Sequence, residues 1–156
     1  GSDGRSFRCW KFRSMVVDAD RVLQYLLATD ERAREEWNRD FKLRSDPRVT
    51  VIGRFLRKTS LDELPQLFNV VTGSMSLVGP RPIVEAEIDR FGRGLWAYFA
   101  CRPGITGLWQ IAGRNDIQYA RRVELNERYT AEWSIWLDLA ILTKTVVTVA
   151  RRSGAY

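Results

Sequence analysis

Histidine is absent from all 156 residues. Its absence removes a Ser-His-Asp triad, an imidazole general base and any zinc site built on imidazole. Cysteine is almost absent too, with Cys9 and Cys101 far apart and in no paired spacing. Two such thiols make neither a disulfide framework nor a thiolate metal site, and they fit a reducing compartment. No uninterrupted apolar run reaches the ~18 residues of a membrane span. The nearest, residues 135–150, is broken by Asp138 and Lys144. The residues present carry no signal-peptide pattern, no internal repeat and no low-complexity tract.

What is abundant is charge, and it is unbalanced. The formal charge is +6, with 28% of residues charged and 45% apolar. The apolar fraction suffices for a real core, and the excess of Arg and Lys calls for an anionic partner: nucleic acid, a membrane surface or a phosphorylated substrate. The chemistry left open is that of carboxylates, Arg, Lys, hydroxyls, backbone groups or a hard metal ion.

Periodicity outlines the elements. Residues 5–15 alternate irregularly between apolar and basic and read as an extended strand or hairpin arm. Asp18 opens a helix carrying Val22, Leu23, Leu26 and Leu27, and Thr29-Asp30-Glu31 starts another that leads to Trp37 and Phe41. Residues 44–47 form a loop, because the residue before Pro47 disfavours helix. Ile52, Phe55 and Leu56 mark a short amphipathic helix with Arg54, Arg57 and Lys58 opposite. A further helix bears Leu61, Leu64, Leu67, Phe68 and Val71 and stops at Thr72-Gly73-Ser74. Val78-Gly79-Pro80-Arg81-Pro82 is a rigid turn, followed by a helix over 83–91. Residues 102–107 are turn-rich, and two helices close the chain, at about 119–132 and 134–151. The expected fold is α+β and predominantly helical, a single compact domain over 1–156 with a small β element and interfacial amphipathic helices.

Three clusters could carry chemistry. Ser60 with Glu63 fits a helix capping box, which puts Asp62 in a first helical turn where the ionised form is favoured. Such a carboxylate can attack phosphorus, although capping alone would also account for both acidic residues. Pro65 then falls just past the positions where proline is costless, so the helix either starts later or opens there. Arg81, Arg102 and Arg114 stand on stiff Pro- or Gly-containing turns, which suits planar recognition of phosphates. Trp96, Tyr98, Phe99, Trp109, Trp133 and Trp136 interleave with basic residues, as at a bilayer headgroup region or simply in a core.

Longer strings sharpen the reading. Residues 11–15 (Lys-Phe-Arg-Ser-Met), 46–48 (Asp-Pro-Arg), 53–57 (Gly-Arg-Phe-Leu-Arg), 59–70, 76–82, 102–110, 113–115 and 154–156 resemble, in order, the bacterial sugar transferase family, the monotopic polyprenyl-phosphate phosphoglycosyl transferases. The resemblance implies that Asp62 attacks the β-phosphate of a UDP-hexose, releasing UMP and leaving a phosphosugar that undecaprenyl phosphate then accepts. It implies Glu63 as the Mg²⁺ ligand, with Lys11, Arg81 and Arg114 contacting phosphate or organising the site, and Asp138 as an acidic group near it. It further implies the cytoplasmic face of a bacterial inner membrane, no nucleic-acid partner, and a role in starting exopolysaccharide or O-antigen assembly. Residues 30–42, Leu108-Trp109-Gln110 and the Gly-Ala-Tyr end look most like members using galactose or glucose, with galactose favoured. The apolar re-entrant helix that such members carry ahead of a segment like Asp3-Gly4-Arg5 is expected to be missing from the sequence. The alternatives are a basic membrane-surface or nucleic-acid-binding module without catalysis, though no usual nucleic-acid-binding signature is present.

Overall fold

The computed structural model describes residues 1–113 and 117–151. After a 3-10 turn at Ser2–Gly4 the chain runs as an extended arm, whose backbone groups are satisfied by side chains and turns rather than by a strand. Trp10 N donates to Asn69 Oδ1 at 3.0 Å, and Asn69 Nδ2 donates back to the Arg8 carbonyl at 2.8 Å. Phe12 N donates to the Asp62 carbonyl at 3.0 Å and Thr50 N to that of Ser14 at 3.1 Å. A single antiparallel bridge, Met15 with Val49, is all that remains of the expected strand. The arm crosses Gly53 so closely that a Cβ there would lie 1.8 Å from the Ser14 carbonyl oxygen. Only glycine permits that approach.

Helices α1 (Ala19–Thr29) and α2 (Glu31–Asp40) form where their periodicity puts them, around a small core of Leu23, Ala33 and Leu43. Asp30 caps α2, accepting from Ala33 N at 3.1 Å. α2 ends in Phe41, held in the left-handed region at φ 52°. Asp46 and Arg48 follow as a buried forked pair, Nε to Oδ1 at 2.8 Å and Nη2 to Oδ2 at 2.7 Å, with the guanidinium over the Trp37 ring. Thr50 caps α3 (Val51–Thr59), whose apolar face points outward: Val51, Ile52 and Phe55 are all exposed.

The predicted capping box does not form. Ser60 takes a left-handed conformation that closes α3, and its side chain caps nothing. A 3-10 turn over Leu61–Glu63 follows, and α4 (Gln66–Val71) begins only after Pro65. Proline lacks the N–H that a helix running from Ser60 would need there, so the later start wins. Leu64, Leu67, Phe68 and Val71 are exposed like the apolar face of α3.

The small β element is real but lies elsewhere than the arm. β1 (Ser76–Val78) pairs in parallel with β2 (Gly104–Thr106), Ser76 opposite Gly104 and Val78 opposite Thr106. β2 was legible only as turn, because it is three residues long and opened by Pro103-Gly104. A Cβ on Gly104 would sit 2.1 Å from Gly79 N. The helix expected over 83–91 shrinks to a 3-10 turn at Glu85–Glu87 and α5 (Ile88–Phe91). Ile83 N is instead taken by the Tyr98 hydroxyl at 3.2 Å. α6 (Leu95–Ala100) and α7 (Leu108–Ala112) are short, and α8 (Tyr119–Ala131) and α9 (Ile135–Arg151) match their periodicity. Val78, Tyr129 and Ile141 form the core where β1, α8 and α9 meet. Among the described residues no helix is long and apolar enough to cross a membrane. The architecture is α+β and predominantly helical.

Candidate active site

An open cleft of about 820 Å³ brings together residues that lie far apart in the chain: Lys11 and Ser14 of the arm, Arg57 of α3, Asp62 and Glu63 of the 3-10 turn, and Arg81 after β1. The left-handed Ser60 is what allows the turn to present both acidic residues. It breaks the helical path after α3, so Asp62 and Glu63 face the cleft from between two helices rather than from a helix side.

The two carboxylates have opposite environments. Glu63 Oε1 receives Arg81 Nη2 at 2.7 Å and Lys11 Nζ at 3.1 Å. Burial alone would raise its pKa; the two cations and their hydrogen bonds override that and hold it down at about 2. Glu63 is therefore a fixed anion, and Arg81 is in turn held all the more firmly protonated by it. Among the described residues Glu63 Oε2 has no hydrogen-bond partner. Asp62 is buried at 8% exposure, and no described residue hydrogen-bonds its carboxylate. Burial and the neighbouring Glu63 charge raise its pKa above the ordinary value, against the pull of Lys11, Arg57 and Arg81. A desolvated carboxylate without hydrogen bonds retains its full nucleophilicity. The cations around it are placed for an incoming anion.

Lys11, Arg81, Asp62 and Glu63 thus converge as the sequence suggested. Asp138 does not join them. Its carboxylate accepts from the Tyr129 hydroxyl at 2.8 Å and from Trp133 Nε1 at 3.2 Å, and it is not among the residues lining the cleft. Arg102 is exposed and also lies outside the cleft. Arg114 and the Gly154-Ala155-Tyr156 end lie outside the described residues. Of the interleaved aromatics, Tyr98 and Trp109 are core, whereas Trp96, Trp133 and Trp136 are exposed.

Several participants were not singled out as site residues. Arg57 read as part of a helix's polar face, yet its Nε donates to Ser14 Oγ at 3.0 Å at the cleft wall. Asn69 read as one letter in a helical string, yet it clamps the arm that delivers Lys11. Nothing in the spacing announces such long-range partners; a buried polar residue inside an apolar string is the available signal.

Among the described residues no three carboxylates or thiols gather into a metal cage. Two adjacent carboxylates, one with a free oxygen, match the sparse protein ligation of Mg²⁺, which usually keeps waters and takes its remaining ligands from phosphates. Lys11 and Arg81 beside Glu63 disfavour a bare dication, so such an ion fits only together with a polyphosphate.

Comparison with known proteins gives the family. The family model described as bacterial sugar transferase matches residues 1–152. The chain is 58% identical over its whole length to the UDP-galactose-lipid carrier transferase of Erwinia amylovora, of which it spans 33%. It is 56% identical to the undecaprenyl-phosphate galactose phosphotransferase of Salmonella typhimurium, again over all of this chain and 33% of that protein. It is 50% identical to the exopolysaccharide production protein ExoY of Sinorhizobium fredii, covering 69% of it. The chain therefore spans about a third of the length of the first two relatives.

Proposed function

We propose, from the premise that the chain belongs to the bacterial sugar transferase family, that it transfers a hexose-1-phosphate from a UDP-hexose to undecaprenyl phosphate. The observation that carries the reading is Asp62: a buried carboxylate to which no described residue hydrogen-bonds, within the field of Lys11, Arg57 and Arg81, beside a Glu63 whose pKa is held down at about 2.

The chemistry follows from those groups. An Asp62 oxygen attacks the β-phosphorus, and the bond from that phosphorus to the oxygen bridging the two phosphates breaks. UMP leaves with the bridging oxygen, and a hexose phosphate stays on Asp62. An oxygen of undecaprenyl phosphate then attacks the same phosphorus, giving the lipid diphosphohexose and restoring the carboxylate. Arg81, Lys11 and Arg57 offset the charge that builds on the phosphoryl oxygens, which is the main catalytic need in phosphoryl transfer. Glu63 Oε2 is the oxygen free to hold Mg²⁺, which would supply further neutralisation of the diphosphate. Arg114 lies in a Gly-Arg-Asn segment and is read as a further phosphate contact.

Galactose is favoured over glucose because the two relatives of highest identity described above carry galactose in their names. The exposed apolar faces of α3 and α4, with Trp136 on α9, suit the surface of the inner membrane on its cytoplasmic side, where UDP-sugars are found. The step would open exopolysaccharide or O-antigen assembly.

The test is intact mass spectrometry after mixing the protein with Mg²⁺ and UDP-galactose or UDP-glucose, without lipid. A hexose-phosphate adduct with UMP release, both lost in Asp62→Asn, is the expected result. UMP release that survives Asp62→Asn would remove the covalent mechanism.

A further inference from the structure

Beyond the carboxylate pair, the cleft has a second set of lining residues: Ile105 and Thr106 of β2, Trp109 and Gln110 of α7, and Thr145 and Val149 of α9. Most of this surface is apolar. Its side-chain polar groups are two hydroxyls, the Trp109 indole N–H and one carboxamide. The hydroxyls serve each other: Thr145 gives its proton to the Ile141 carbonyl at 2.8 Å, so Thr106 is the donor in the 2.7 Å contact between them. The carboxamide is different. Gln110 is 9% exposed, and neither its Oε1 nor its Nε2 finds a hydrogen-bond partner among the described residues. A buried side chain with an unused acceptor and an unused donor is rare, because it forfeits its hydration for nothing. It persists where a ligand completes it. Trp109 beside it is held by Arg122 and Lys42, whose cations lie 5.0 and 5.9 Å from the ring centre, so α7 presents Gln110 from a fixed base.

We propose that the Gln110 carboxamide reads the uracil ring of the donor nucleotide. The inference rests on the reading above that the cleft takes a UDP-hexose. A carboxamide and a uracil imide edge are complementary, N3–H donating to Oε1 while Nε2 donates to an adjacent ring carbonyl. The surroundings favour the base over the hexose. A flat ring with one polar edge is satisfied by one carboxamide between apolar walls. A hexose would bring several hydroxyls to a wall that offers few partners, leaving them buried and unpaired. Two hydrogen bonds made out of contact with bulk water also discriminate strongly, since any analogue without them strands the carboxamide again.

The test uses Gln110→Met, which keeps the volume and removes both polar atoms. Calorimetric titration with UMP, with pyrophosphate and with UDP-galactose is compared with thermal melting. The expected pattern is a melting temperature at or above wild type, UMP and UDP-galactose both weakened roughly tenfold or more, and pyrophosphate unchanged. UMP binding equal to wild type overturns the proposal, and weakening confined to UDP-galactose overturns it in favour of the sugar hydroxyls. A lowered melting temperature with unchanged UMP affinity assigns Gln110 to the fold alone. Should Gln110→Met fail to fold, Gln110→Glu serves, because it keeps shape and acceptor but loses the donor; wild-type UMP affinity in that variant likewise overturns the assignment. A wild-type protein that does not bind UMP defeats the nucleotide-donor reading itself, which separates that failure from this one.

Discussion

Arg81 Nη2 lies 2.7 Å from Glu63 Oε1, tying the turn after β1 to the turn after α3. The contact sets both the charge of Glu63 and the position of a guanidinium beside Asp62. Arg81→Ala should lower UMP release by about 100-fold or more, as for loss of a charge-stabilising group in phosphoryl transfer. Arg81→Lys should recover only part of it, because an ammonium cannot reproduce the fork. Initial rates at saturating UDP-galactose give the comparison; a fully active Arg81→Ala would exclude any role in the transition state.

Asp62→Asn should abolish the covalent adduct while leaving melting unchanged or higher. The carboxylate it replaces is buried and accepts no hydrogen bond from any described residue, so folding loses no partner and is relieved of a desolvated charge. A clear drop in melting temperature would mean that Asp62 holds the turn together.

Glu63→Gln should keep the shape of the turn and weaken the dependence on Mg²⁺. Titrating Mg²⁺ against UMP release is the measurement, and an unshifted midpoint would remove Glu63 as the metal ligand.

Asn69→Ala should free the arm. The substitution removes the acceptor of Trp10 N and the donors to the Arg8 carbonyl and Ser74 Oγ, and costs about 1–3 kcal/mol. Trypsin should then cut within residues 5–13 faster than in wild type, and Lys11-dependent activity should fall with it. Equal cleavage rates would show that the arm is held by other contacts.

Acid should weaken the fold partly through Asp46. Burial alone would raise its pKa, but Arg48's hydrogen bonds and charge bring it below the ordinary carboxylate value. The unfolded chain therefore binds the proton more readily than the native one. The contribution of Asp46 is complete above its unfolded pKa of about 3.9 and fades as the pH falls through the lower native value. Asp46→Asn should cost about 3 kcal/mol at neutral pH, since it leaves Arg48 buried without its partner. It should also flatten the stability profile below about pH 4. Urea unfolding at neutral and acid pH checks both.

The long helices and the pair of cleft carboxylates were legible because their signals are local. Leu23, Leu26 and Leu27 repeat at helical spacing, and Asp62-Glu63 sits within a distinctive string. Ser60 was misread because a Ser-x-x-Glu pattern says nothing about the left-handed conformation that Pro65 and α3's end impose. β2 escaped because three residues opened by Pro-Gly carry no period. Asp138 was expected near the site only from the family resemblance, whereas its partners, Tyr129 and Trp133, are set by how α8 turns into α9. Gln110 could not be flagged at all: an unpaired carboxamide is a property of surroundings, not of a string.

The arm's contacts also govern the order of events during folding. Lys11 and Glu63 are 52 positions apart, and the two hydrogen bonds through Asn69 span 59 and 61. Helices such as α8 and α9 form from neighbours along the chain, on timescales far shorter than those of distant pairings. A chain caught midway therefore has its helical content in place and its cation cluster still unassembled. Far-ultraviolet ellipticity should recover before UMP release does when refolding is followed by both.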